Sequence, residues 1–170
     1  KFEKKWENPS EETLKAMGQS TFLVQCAPCH GVDAEGIDGK AQNLTKRISK
    51  EQVVHVIKNG SNSLATAYPA GMPPMMLTED ADIEAVAAYV AGGFKGEQPA
   101  MYAVCAGCHG VDGNGIEYAA PNIRAYDDAL VTAVLKDGKK SNIGIMPSFD
   151  GRLNETQQKA LGAYLRSLGE

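Results

Sequence analysis

The sequence holds little of what would commit it to most functional classes. In 170 residues it has four cysteines, three histidines and one tryptophan, and aromatic side chains make up 6%. No apolar run approaches the roughly 20 residues of a membrane-spanning helix. Period-two alternation is missing, which argues against strands and against the βαβ setting of a thioredoxin-like dithiol. Charge of one sign is missing too. The 17 basic and 21 acidic residues leave a net charge of −4, neither half of the chain is strongly polarised, and nucleic acid is a poor partner.

What is present is concentrated. All four cysteines fall in Cys26-Ala27-Pro28-Cys29-His30 and Cys105-Ala106-Gly107-Cys108-His109, and two of the three histidines close those motifs. Cys-x-x-Cys-His is the attachment signal of c-type haem. Two thiols one helical turn apart add to the vinyl groups along one porphyrin edge, and the adjacent imidazole reaches the iron. A zinc site would need two ligand pairs converging, and a disulfide would strain across so tight a loop. Two covalent haems c are therefore the expected cofactors. They would also supply the apolar bulk that a domain of about 75–95 residues lacks.

The motifs mark a repeat of 79 residues, from Cys26 to Cys105, that covers nearly everything from Gly18 onward. Residues 1–9 read as a charged tail, either solvated or lying next to a lipid anchor. Ser10 suits an N-cap, and a helix to about Gln25 would turn Leu14, Met17 and Val24 to a core, with Gly18 and Phe22 allowing another helix close. A Gly-rich turn follows His30. Ser49 caps a helix from Lys50 to about Lys58, and its His55 reads as a partly solvated residue rather than an iron ligand. Thr78 should cap a helix over 79–91, stopped by Gly92-Gly93.

Residues 94–98 form a linker too short to be a flexible tether. In the second unit Pro99 opens a short helix into Cys105. Pro121-Asn122-Ile123 stands where Gln42-Asn43-Leu44 stood, residues 127–136 form a middle helix, and Asn154 with Gln157 starts the last helix. The spacing thus predicts an all-α chain, with domain 1 over 1–93, the linker, and domain 2 over 99–170. Gly71-Met72-Pro73-Pro74-Met75-Met76 offers a thioether to complete the first iron opposite His30. Met146-Pro147 offers the second. Met72 precedes Pro as Met146 does and stands 17 residues before Tyr89, against 18 from Met146 to Tyr164. Met75 and Met76 remain the alternatives.

Each unit resembles a class I cytochrome c: helix, Cys-x-x-Cys-His, Pro-Asn-Leu-like turn, Met-Pro loop, terminal helix with a Tyr. The resemblance implies that the carbonyl twelve residues after the haem His accepts the imidazole Nδ1–H. Pro121 matches, and Gln42 departs from the usual Pro. The compact tandem, with Met72-Pro73-Pro74-Met75-Met76-Leu77 and the 82–90 helix, resembles the dihaem domain of cbb3-type cytochrome c oxidases. That resemblance implies a membrane-anchored subunit working on the periplasmic side of the bacterial inner membrane. It would take electrons from a periplasmic donor and relay them to the oxidase catalytic subunit, through irons held by His30, Met72, His109 and Met146 and haems bonded at Cys26, Cys29, Cys105 and Cys108. A free periplasmic dihaem carrier is the alternative. A dihaem peroxidase would need one iron with an exchangeable position.

Overall fold

The structure, a computed structural model, describes residues 10–61, 68–140 and 144–168. The tail over 1–9 lies outside them. Seven α-helices carry the described fold: α1 (Glu11–Gln25), α2 (Ala27–His30), α3 (Lys50–Asn59), α4 (Asp80–Ala91), α5 (Ala103–His109), α6 (Asp128–Asp137) and α7 (Glu155–Leu168). A 3₁₀ turn at Ala100–Tyr102 leads into α5. One antiparallel pair of two-residue strands, β1 (Lys139–Lys140) and β2 (Ile145–Met146), is a small departure from the purely helical expectation.

Local chemistry accounts for most element ends. The Ser10 hydroxyl accepts from Thr13 N at 3.2 Å, and Glu11 and Glu12 sit where the helix dipole favours acids. Ser49 and Gln52 form a reciprocal capping box, and so do Asn154 and Gln157. Thr78 does not cap α4, which starts one residue later with Glu79 at the N-cap and no side-chain bond. On α1 the buried face is Gly18 and Phe22, Leu14 and Met17 are half-buried, and Val24 is 71% exposed. Val24 falls about 200° around the helix from Phe22, so it cannot share that face.

The two repeats do not each enclose their own core. Phe22, Ala27 and Ala34 from the first pack with Val131, Leu135, Phe149, Leu153, Leu161 and Tyr164 from the second. Val53, Ile57, Leu77, Ile83, Val86 and Val90 pack with Tyr102, bordered by Val104, Cys105 and Ile123. The first lobe therefore joins α1 and α2 to α6 and α7. The second joins α3 and α4 to the 3₁₀ turn and α5. The linker explains the second pairing, because five residues return the chain from the end of α4 straight onto its own flank. Phe94 is part of that return, its ring tilted against Tyr89 at 5.0 Å and edge-on to Tyr102 at 5.5 Å. With α4 taken by the second motif, α1 finds its partner in α7, where Phe22 meets Tyr164 at 5.3 Å.

Tyr102 is fully buried, and its hydroxyl donates to the Gly110 carbonyl at 2.8 Å. Tyr102→Phe should cost about 1 kcal/mol in chemical denaturation of the haem-loaded protein at neutral pH. Burial above all pushes this phenol up, to about 12 with Cys105 and Tyr89 adding before haem is attached; once Cys105 is a thioether, burial and Tyr89 still hold it raised. An acid with a raised folded pKa contributes stability that is present below its ordinary value near 10 and fades as pH climbs toward 12. The variant should therefore lose less stability than the native chain between those pH values. Equal losses would show that Tyr102 does not drive the alkaline transition.

Candidate haem sites

Each Cys-x-x-Cys-His motif forms a helix that ends on its histidine. Gly31 and Gly110 follow at φ +84° and +83°, and their N–H groups return to Ala27 O and Ala106 O. The first thiols, Cys26 and Cys105, are half-buried, and the second, Cys29 and Cys108, are exposed. Burial pushes the Cys26 thiol up to about 11 with Cys29 adding, and raises Cys105 for the same reasons.

The imidazoles are fixed by carbonyls twelve residues on. His30 Nδ1 donates to Gln42 O at 2.9 Å, and His109 Nδ1 donates to Pro121 O at 2.8 Å. Asn43 and Asn122 shape these loops alike, their side-chain oxygens accepting from Thr45 N at 2.8 Å and Arg124 N at 2.8 Å. His30 is only 8% exposed. Burial lowers its pKa against the opposing Gln42 bond, and burial lowers that of His109 against the Pro121 bond, with Arg47 lowering it further. Both effects favour the neutral imidazole, with Nε2 left for a metal.

Two apolar cavities open at these histidines, and each is walled by both repeats. The first is lined by Cys26, Cys29, His30 and Phe22 on one side and Val131, Leu135, Met146, Pro147 and Leu161 on the other. The second is lined by Cys105, Cys108, His109 and Ile123, facing Val53, Ile57, Met72, Pro73 and Val86. Each cleft encloses a cavity of about 170 Å³ that opens to solvent on one side. A motif thiol pair at the rim, an oriented imidazole, a thioether and an apolar wall suit a covalent haem.

The expected pairing of Met72 with His30 is not what the fold makes. Met72 borders the His109 cavity, and Met146 borders the His30 cavity. The physical reason is that each methionine loop is tied to the middle helix of its own repeat, and that helix lies in the lobe of the other repeat's motif. Ser61 N donates to Met72 O at 3.0 Å and Met72 N to Ser61 O at 3.1 Å, just beyond α3. Met146 pairs with Lys139 just beyond α6. Gly60 (φ +74°) and Gly138 (φ +73°) permit this approach, since a Cβ would stand 2.5 Å from Met72 O and 2.6 Å from Met146 O. Met75 and Met76 are 46% and 48% exposed; Met76 reaches the rim of the second cavity and Met75 does not line it. His55 lines neither cavity, its ring bonded at 3.2 Å to Asn59.

Some functional side chains carry no motif. Gln42 Nε2 donates to Tyr126 Oη at 3.3 Å, and Gln52 Nε2 donates to Gln42 Oε1 at 2.8 Å. Tyr126 Oη donates back to Lys46 O at 3.1 Å. Arg47 Nε and Nη2 donate to Asn122 O at 3.1 and 2.9 Å. The two histidine-holding loops are thereby bolted together. The only signal in the sequence was the departure of Gln42 from proline, whose side chain could not make these bonds.

Helices wrapped about paired Cys-x-x-Cys-His motifs and Met-Pro loops define a tandem cytochrome c. The family described as cytochrome c oxidase, cbb3-type, subunit III matches residues 13–90 and 98–165, and the chain belongs to it. The CcoP subunit of the cbb3-type oxidase of Helicobacter pylori (strain 52) is 38% identical over 99% of this chain and 63% of its own length. CcoP of Rubrivivax gelatinosus is 31% identical over 91% of the chain and 55% of that protein. FixP of Azorhizobium caulinodans is 30% identical over 95% and 62%. The chain thus spans less than two thirds of the length of these relatives. Among the described residues no helix is long and apolar enough to cross a membrane.

Proposed function

We propose that the chain relays electrons through two covalent haems c, one bonded at Cys26 and Cys29 and the other at Cys105 and Cys108. His30 with Met146 would hold the first iron, and His109 with Met72 the second. The observation that carries this reading is the pair of cavities, each placing a fixed imidazole and a methionine in the walls of one apolar cleft. The haems would supply a reversible one-electron couple. The residues would do the rest: the thiols would tether the haems, the carbonyls of Gln42 and Pro121 hold the imidazoles in orientation, and the methionine thioethers would offer each iron a second protein ligand. An iron held by both a histidine and a methionine would leave no site for a substrate, so a histidine and a methionine in the walls of each cavity support a relay over a peroxidase.

Membership of the cbb3-type subunit III family supports a role in such an oxidase, where the relay would run on the periplasmic side of the bacterial inner membrane, from a periplasmic donor to the catalytic subunit. Exposed Val32 and Val111 stand in the same turn of each repeat, just after the motif histidine, which fits weak docking through apolar patches with a polar rim.

The test is the optical spectrum of the reduced, haem-loaded protein with and without carbon monoxide, calibrated for haem content. Two haems c per chain and unchanged bands are expected. A carbon monoxide shift of about half the signal would mean one open iron and would overturn the relay with two saturated sites.

A further inference from the structure

Three residues line both cavities: Leu130, Arg47 and Lys139. Leu130 is a buried apolar divider. The other two are half-buried cations in an otherwise apolar wall. Among the described residues neither has a carboxylate within ion-pair distance. Asp127, which Arg47 feels electrostatically, uses its Oδ1 to cap α6 through Leu130 N at 2.9 Å. Arg47 gives Nε–H and one Nη2–H to Asn122 O, and its Cζ sits 5.2 Å from the Tyr126 ring centroid. A guanidinium has five N–H donors, so three remain without a described protein acceptor.

Two cations held between apolar cavities without anions are costly, and a carboxylate brought to them offsets that cost. Each haem carries two carboxylates, and the protein around them already has a net charge of −4. We propose that Arg47 and Lys139 form one cationic wall shared by the two cavities, which receives carboxylates of both haems and sets their reduction potentials together. The inference rests on the proposed occupation of both cavities by haem. A fixed positive charge beside two irons disfavours the extra positive charge of each ferric state. Losing it therefore moves both couples toward the ferric form.

The experiment is a spectroelectrochemical titration of the haem-loaded chain and of Arg47→Gln, Arg47→Lys and Lys139→Gln, with haem content and the Met–ferric charge-transfer band measured on each. Arg47→Gln should shift both reduction equilibria by about threefold or more toward the ferric side, where 59 mV corresponds to tenfold for one electron. Arg47→Lys keeps the charge while losing the fork, and should hold both potentials within about twofold of the native chain. Lys139→Gln should also lower both steps while keeping the charge-transfer band, and it decides the matter where Arg47→Gln fails to take up haem.

A shift confined to one haem would overturn the shared wall and leave Arg47 as a positioning residue for the Asn122 loop. So would Lys139→Gln leaving both potentials unmoved. Fewer than two haems per native chain would instead overturn the haem reading itself.

Discussion

Replacing Met146 by alanine will open the iron held by His30 and leave the His109 iron saturated. Reduced Met146→Ala protein should bind carbon monoxide at about half of its haem, and Met72→Ala should do the same at the other half. Single variants cannot tell which histidine shares an iron with which methionine, but double variants can. His30→Ala with Met146→Ala strips a single iron of both protein ligands, so half of the Met–ferric charge-transfer band survives. His30→Ala with Met72→Ala damages two irons, leaving only one Met-ligated haem that has lost its histidine. The pairing expected from chain order predicts the reverse outcome. The crossed pairing rests on the cavity walls, where Met146 stands with Cys26, Cys29 and His30 and Met72 with Cys105, Cys108 and His109. If the double variants behave alike, the crossing is wrong.

The second large effect is expected at Gly18. A Cβ at this residue would lie 2.0 Å from Ala160 O, 2.6 Å from its carbonyl carbon and 2.8 Å from Tyr164 Cβ. Two of those three atoms are backbone, so relief requires α1 and α7 to separate. Gly18→Val should cost about 3 kcal/mol or more, a large part of the 5–15 kcal/mol of a typical domain. It should also cost haem at Cys26 and Cys29 before haem at Cys105 and Cys108, since α1 and α7 wall only the first cavity. Gly107 provides the contrast. It lies inside α5 with nothing within 4 Å of its would-be Cβ, and Gly107→Ala should change stability by less than about 1 kcal/mol, with helix propensity favouring alanine. Denaturation midpoints of the two loaded variants check this, and a tolerant Gly18→Val would mean that α1 does not pack on α7 as described.

Much of this molecule is legible in its sequence because the chemistry is local. Two thiols and an imidazole at fixed spacing leave few alternatives, and the glycine after each histidine, the Asn of each turn and the Ser49 and Asn154 caps act within four residues of themselves. The acceptor carbonyls of Gln42 and Pro121 follow from spacing together with the cytochrome c resemblance. Among the three candidate methionines, Met72 and Met76 line the second cavity and Met75 does not, so the choice between Met72 and Met76 turns on the loop's backbone pairing with Ser61 rather than on the sequence alone. The methionine partnership was not legible. A repeat tells that two segments are alike, but not whether like segments pack within a copy or between copies. That choice is made by the brevity of residues 94–98 and by Phe94, which packs the end of α4 on Tyr102. Arg47 and Tyr126 were not legible for the same reason, as their bonds exist only where two loops 75 to 84 positions apart meet, and Lys139 likewise meets Arg47 only across the fold.

The crossing of the two repeats also imposes a timetable on assembly. The lobe around His109 draws its buried residues from Val53 to Tyr102 with Cys105 and Ile123 at its border, so this core is fully synthesised once the second motif loop is made. The lobe around His30 draws on Phe22 at one end and Leu161 and Tyr164 at the other. No chain shorter than that last helix holds both halves. The motif written first is therefore the one enclosed last, and its thiols wait for α7 before an apolar cleft exists to receive a haem.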